Sequence, residues 1–300
     1  MRRSQSAIEY LTTYGWAILI IGIALAVLYS LNLFNPYTYA PKASAGSCFV
    51  VRTNLSEYNF PYLSGACTNE LPQYVATFSN TSESYVYINP APTLNIRGNV
   101  TILAWMKPYL NNYRWQGIIS NRWPGYNVEQ GYGFAYYQCT ASIKCIYYSY
   151  NNGNSWVTYT DNKQLYSNDW VMIAVSRNMS SGEISFYQNG AFITSDPTNG
   201  LAASLDNPVA IGADPDYVPG SGVYFNGSIA DVQIYNTSLS SNDIQALYQE
   251  GIGGAPINLN NLVGWWPLNG NPNDYSGNGN NGAATNVIYT SNWYNGYSAP

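Results

Sequence analysis

The chain has 300 residues, a net charge of -5, charged residues at only 9% and no histidine. It therefore has no basic stripe for phosphates, which excludes a nucleic-acid partner. The commonest general base, the Ser/His and Cys/His nucleophile pairs and imidazole metal ligands are missing too. Thirty tyrosines and nine tryptophans supply apolar area for a core, leaving a surface of Asn, Ser, Thr, Gly and Tyr suited to neutral, hydroxyl-rich ligands.

From Tyr10 to Pro41 no residue is charged, and the run from 16 to 33 is apolar. With its Tyr10–Tyr14 shoulder it is long enough, as a helix, for a hydrocarbon core of about 30 Å. Arg2 and Arg3 precede it, so the N-terminus is expected to stay cytoplasmic and everything after Phe34 to face outward. Ala43-Ser44-Ala45 has the small-x-small form of a secretory cleavage site, but it lies about ten residues past an apolar run too long for such a signal. A plain anchor explains the run equally well. Glu9, a lone carboxylate at the edge of the run, is costly to bury without a partner.

The stretch RRSQSAIEYLTTYGWAILIIGIALAV resembles the class III, type IV prepilin-like signal of archaeal pilins. In that family a membrane peptidase cuts on the cytoplasmic side, before the hydrophobic helix. The resemblance implies a cut between Ser4 and Gln5, so that residues 1–4 are a leader and 5–35 a transmembrane or filament-core helix. It also implies that Glu9 pairs with the new α-amino group, commonly on a neighbouring subunit. The implied partners are the membrane, the prepilin-type peptidase, and copies of itself or other pilins.

Beyond Asn35-Pro36, residues 36–73 read as a linker and a disulfide-pinned segment. Cys48, Cys67, Cys139 and Cys145 show no CxxC spacing, which argues against zinc and for two disulfides in an oxidising compartment. Local pairing, Cys48–Cys67 with Cys139–Cys145, is preferred among the connectivities four cysteines allow. Asn54, Asn80, Asn99, Asn178, Asn226 and Asn236 head glycosylation sequons, which an Asn-rich chain also produces by chance. VTILAWM (100–106), DWVMIAVSR (169–177), EISFYQNGAFITS (183–195) and GSIADVQIY (227–235) read as strands, and Asn189-Gly190 as a hairpin turn. One short helix is expected in SLSSNDIQALYQEG, capped by Ser240 or Ser241 and closed by Gly251. Residues 262–300 are too few for a core of their own. They either complete the sandwich or open a second, truncated domain, and the first is preferred because it covers a sheet edge. The fold expected is mainly β, a two-sheet sandwich preceded by one long N-terminal hydrophobic helix.

The order of these pieces over about 74–284, FNGSIADVQIYNTSLSSNDIQALY above all, resembles the laminin-G-like, concanavalin A-like jelly roll. The resemblance implies a jelly-roll domain over 74–300. It also implies a permutation, since LVGWWPL and DYSGNGNNG normally open such a domain. A structural calcium ion is implied between Asp231, Asp274 and Asn278, although Asp274 and the glycines could equally serve turn geometry. Carbohydrate recognition needs exposed aromatic faces beside polar groups, and Trp115, Trp123, Tyr126 and Tyr132 lie among suitable loops, with Tyr136–Tyr137 nearby. Core or rim packing is the alternative for each.

Glycosidases of this fold need two placed carboxylates. No Glu-x-Asp-x-Glu strand is present, and Asp214 and Asp216 read as solvated loop acids. No enzyme is expected. The function expected is a pilin-like surface structural and adhesion protein with a glycan- or cell-contacting head. The alternatives are a non-polymerising, membrane-anchored lectin-like protein and a secreted glycan-degrading enzyme.

Overall fold

The computed structural model describes residues 7–31, 34–52, 60–68, 70–109, 115–122, 131–140, 143–152, 154–165, 169–198, 200–202, 206–214 and 223–300, without the side chains of 7–11 and 13. Two compact units result, Met1–Ala40 and Pro41–Pro300. In the first, helix α1 runs over Ala7–Ser30. Its Ile, Leu and Ala residues favour an uninterrupted helix, and Pro36 opens a short 3-10 turn beyond it, capped by the Asn35 side chain. Trp16, Ile18, Ile20, Ile21 and Ile23 are all more than half exposed, so the helix is apolar all round rather than amphipathic. Among the described residues no helix is long and apolar enough to cross a membrane.

The second unit opens with β1 (Lys42–Ala43), β2 (Cys48–Val51), β3 (Tyr62–Gly65) and β4 (Leu71–Pro72). Next come β5 (Val75–Phe78), β6 (Tyr85–Ile88), β7 (Val100–Pro108), β8 (Trp115–Ser120) and β9 (Tyr132–Gln138). They are followed by β10 (Lys144–Asn151), β11 (Trp156–Thr160), β12 (Val171–Asn178), β13 (Glu183–Gln188) and β14 (Ala191–Pro197). The chain ends with β15 (Val209–Ile211), β16 (Gly227–Tyr235), helix α2 (Ser241–Gln249), β17 (Leu262–Trp266), β18 (Gly282–Thr285) and β19 (Ile288–Thr290).

These strands build a two-sheet sandwich. A seven-stranded sheet has the order β11-β10-β9-β8-β15-β6-β18; an eight-stranded sheet has β14-β13-β12-β7-β16-β5-β19, with β17 also on β16. Ile102, Ala104, Met106, Phe134, Tyr148, Ile173, Val175, Ile229 and Trp266 fill the space between them. Asn189 and Gly190 both take positive φ, 48° and 72°, which the tight turn between β13 and β14 demands. Ser240 caps α2 in a reciprocal box with Asp243.

Strand β7 is buried along its whole length, because the outer face of its sheet is covered as well. Trp105 on that face stacks on Tyr248 of α2 at 5.6 Å and meets Tyr297 at 5.8 Å. Trp170 packs edge-on against Trp293 at 5.7 Å. The residues from 262 onward join both sheets: β17 pairs with β16, β18 with β6 and β19 with β5.

The compact unit starts at Pro41 rather than at residue 74. Strand β1 pairs with β4, and the β2–β3 hairpin is closed by the Cys48–Cys67 disulfide. Arg52 donates to the carbonyls of Leu259, Leu262 and Ser276, fixing this segment to the C-terminal strands. The second disulfide is Cys139–Cys145.

Candidate functional site

On β9, Tyr132, Phe134 and Tyr136 belong to the core, and on β10 so do Ile146, Tyr148 and Tyr150. Strand alternation therefore turns Gly133, Ala135 and Tyr137, with Tyr147 and Ser149, to the outer face of the seven-stranded sheet. In register, Tyr137 sits opposite both Trp115 and Cys145, so the second disulfide lies beside the Trp115–Tyr137 row. Trp115 meets Tyr137 at 5.3 Å and Tyr147 at 4.2 Å, edge-on in both cases. Tyr147 lies 5.4 Å from Tyr137. All three rings are half-buried.

The other end of this face is polar. The Arg122 guanidinium lies over the Trp156 ring at 4.4 Å, and its Nη1 donates to Asp214 Oδ2 at 2.8 Å. Asp214 Oδ1 accepts from Ser120 Oγ at 3.0 Å. A Cβ on Gly117 would come within 2.2 Å of the Ala213 backbone; only glycine lets the chain pass so close and aim Asp214 at the sheet. Burial raises the Tyr147 hydroxyl above its ordinary pKa, an effect eased by bonding to the Ser149 and Thr158 hydroxyls and by nearby Arg122. Tyr147 thus links the aromatic cluster to the ion pair.

Two expectations are corrected here. Tyr132 is 3% exposed and faces the core, because the odd-numbered positions of β9 point outward. Asp214 is not a solvated loop acid: its side chain is 1% exposed and paired. Tyr147, Trp156 and Arg122 are the residues that sequence reasoning missed. The alternation in KCIYYSYN could have exposed Tyr147, but nothing local ties Arg122 to Asp214, ninety-two positions away. Trp123, Tyr126 and Asp216 lie outside the described residues, as do Ser4, Gln5, the Glu9 side chain and Asn54. Of the remaining sequons, Asn236 is exposed, while Asn80, Asn99, Asn178 and Asn226 are half-buried.

Of the calcium candidates, Asp231 and Asp274 converge on Trp265 as hydrogen-bond acceptors, and Asn278 bonds to the neighbouring backbone. Asp274 accepts from the backbone nitrogens of Trp265, Ser276 and Asn280 and from Ser276 Oγ. Asp231 accepts from Gln233 Nε2 and Trp265 Nε1, and Asn278 Nδ2 donates to the Leu262 and Val263 carbonyls. Donors surrounding both carboxylates do not fit a cradle of oxygens for a cation. Among the described residues no group of three or more His, Cys, Asp or Glu is placed to hold a metal. Adding a chelator is accordingly expected to leave the thermal midpoint unchanged. A drop restored by calcium would contradict this assignment.

Asp231 has a second consequence. It sits at the bulge where the β16–β7 register shifts, with φ 48°. Burial drives its carboxyl up to about 7 from an ordinary 3.8, against the pull of its bonds to Gln233 and Trp265. The folded protein then holds a proton that the unfolded chain releases, so this group's contribution to stability falls as pH rises from about 4 to about 7. The loss is of the order of a few kcal/mol at 1.36 per unit. Asp231→Asn is expected to flatten the denaturation-midpoint profile across that window. An unchanged profile would refute the assignment.

Residues 79–245 match the family model Laminin_G_3, the concanavalin A-like lectin/glucanases superfamily. Among solved structures, a candidate carbohydrate-binding protein from Bacteroides ovatus is similar at 15% identity and TM-score 0.52, over 83% of this chain and 70% of its own. A native heptameric SAP-like pentraxin from Limulus polyphemus is similar at 14% identity and TM-score 0.52, over 73% of this chain and 95% of its own. Both similarities concern the fold. No curated protein matches the chain in sequence.

Proposed function

The chain belongs to the concanavalin A-like lectin/glucanases superfamily, and from that membership we propose that it is an extracellular carbohydrate-binding protein whose sandwich presents the sugar site. The supporting observation is the Trp115–Tyr137–Tyr147 cluster beside the Arg122–Asp214 pair on one sheet face. Half-buried rings offer apolar faces to sugar C–H groups, while a few fixed polar groups orient hydroxyls, the usual division of labour in a small-ligand site. Two disulfides support an oxidising, extracellular setting. Binding is favoured over hydrolysis because glycoside cleavage uses a pair of carboxylates, and the strip's one described carboxylate, Asp214, is committed to Arg122. Titration of the full chain with neutral oligosaccharides tests this; no binding to any sugar would reject it.

Helix α1 favours a second part of the reading, in which it anchors the protein in a membrane and packs with like helices in a pilin-type assembly. A helix whose apolar side chains are exposed on all sides calls for lipid or other helices as surroundings. Glu9 would find its partner in the new α-amino group. Mass spectrometry of the mature N-terminus is expected to show a start at Gln5. An intact Met1 or a start at Gly46 would contradict pilin-type processing.

A further inference from the structure

Resting on the sugar-binding reading of this face, we infer that its ligand is an uncharged, linear oligosaccharide held through several consecutive sugar units along β8–β11, rather than an anionic glycan or a single terminal sugar.

The first support is length. Trp115 and Tyr137 share a row with Cys145 on β10, and Trp156 pairs with Asn151, six residues further along the same strand. At about 3.3 Å per residue the two aromatic ends stand about 20 Å apart, which is longer than one sugar ring. Tyr147 stands between them, so the aromatic contacts form a track rather than one pocket.

The second support is the floor between the ends. Gly133 and Ala135 on β9 and Ser149 on β10 are small and buried there, with Asp214 and Arg122 lying over Gly133, and Thr158 on β11 is small as well. Thr158 is exposed, and β11 is the edge strand of its sheet. A chain can therefore leave the track at that edge instead of ending there.

The third support is charge. Arg122 reaches this face, and Asp214 pairs with it at 2.8 Å while Trp156 covers one side of its plane. An ion pair offers directional donors and acceptors for hydroxyls with little net field to attract carboxylate or sulfate. The net charge of -5 further opposes an anionic chain.

The test is calorimetric titration of the full chain in detergent with glucose, laminari-, xylo- and manno-oligosaccharides of one to six units, and with polygalacturonate and heparin fragments at the same salt. In at least one neutral series affinity is expected to rise about tenfold or more between one and four units, the anionic probes binding more weakly. Thr158→Trp fills the middle of the track from an exposed position outside the core, and is expected to abolish that gain while the melting midpoint holds. A monomer bound as tightly as the hexamer, or a preference for the anionic probes, would overturn this inference and leave the sugar-binding reading standing. Absence of binding to every probe, or binding untouched by both Trp115→Ala and Thr158→Trp, would instead overturn the reading on which it rests.

Discussion

Removing residues 262–300 is expected to abolish the cooperative thermal transition of the protein, because that segment is part of both sheets rather than an appendage. Strand β17 lies on β16, β18 on the edge of the seven-stranded sheet beside β6, and β19 beside β5. Its loss would bare backbone donors and acceptors along three strands and remove a fully buried indole from the core. The same dependence concentrates in one side chain. Trp266 is a fully buried member of the core, opposite Val232 of β16, and its Nε1 donates to the Asn280 carbonyl at 2.9 Å. A Cβ on Gly264 would fall 2.1 Å from its ring, so the local backbone is shaped around it. Trp266→Ala is expected to cost about 3–5 kcal/mol, the range for emptying a large aromatic site in a core. Circular dichroism melts check both changes; a truncated chain that still melts cooperatively near the parent midpoint would contradict this account of the C-terminal strands.

The second large effect concerns the ion pair of the proposed sugar face. Arg122→Leu takes the Arg122 cation from the buried Asp214 carboxylate and leaves its bond from Ser120 Oγ in place. Removing one partner of a buried pair is more damaging than removing both, since the remaining charge stays uncompensated. Because the Arg122 side chain retains some contact with solvent, a cost of about 2–4 kcal/mol is expected rather than the full value for a dry pair. The double variant Arg122→Leu, Asp214→Asn should recover most of that stability, since no lone charge remains. Sugar binding should stay weak in both. Denaturant unfolding and titration of the three proteins separate these outcomes: recovery of stability together with binding would show that Arg122 supports the face without taking part in recognition.

The fold class was legible because its signals are local. The Asn189-Gly190 turn, the capping box at Ser240 and the alternating runs of β12 and β13 each specify a backbone state within a few residues. The extent of the compact unit was less legible, since Arg52 reaches carbonyls more than two hundred positions away. The candidate site was only half visible. Trp115 stands out in any reading, but whether Tyr132 or Tyr137 faces outward depends on strand parity, and consecutive aromatics on β9 and β10 hide it. Arg122 and Asp214 come from separate connections that the sheet order alone brings together. Asp231 and Asp274 illustrate the opposite difficulty: an oxygen-rich loop has the composition of a calcium site, while the geometry gives those oxygens to N–H donors.

The central claim, that the outer face of the seven-stranded sheet binds carbohydrate, is tested most directly by retention of the full chain on an array of immobilised neutral glycans, beside Trp115→Ala of verified folding. The parent is expected to be retained on at least one neutral glycan, with the variant's signal reduced about tenfold, equivalent to about 1.4 kcal/mol. Retention of both proteins to the same extent, or of neither, would contradict it.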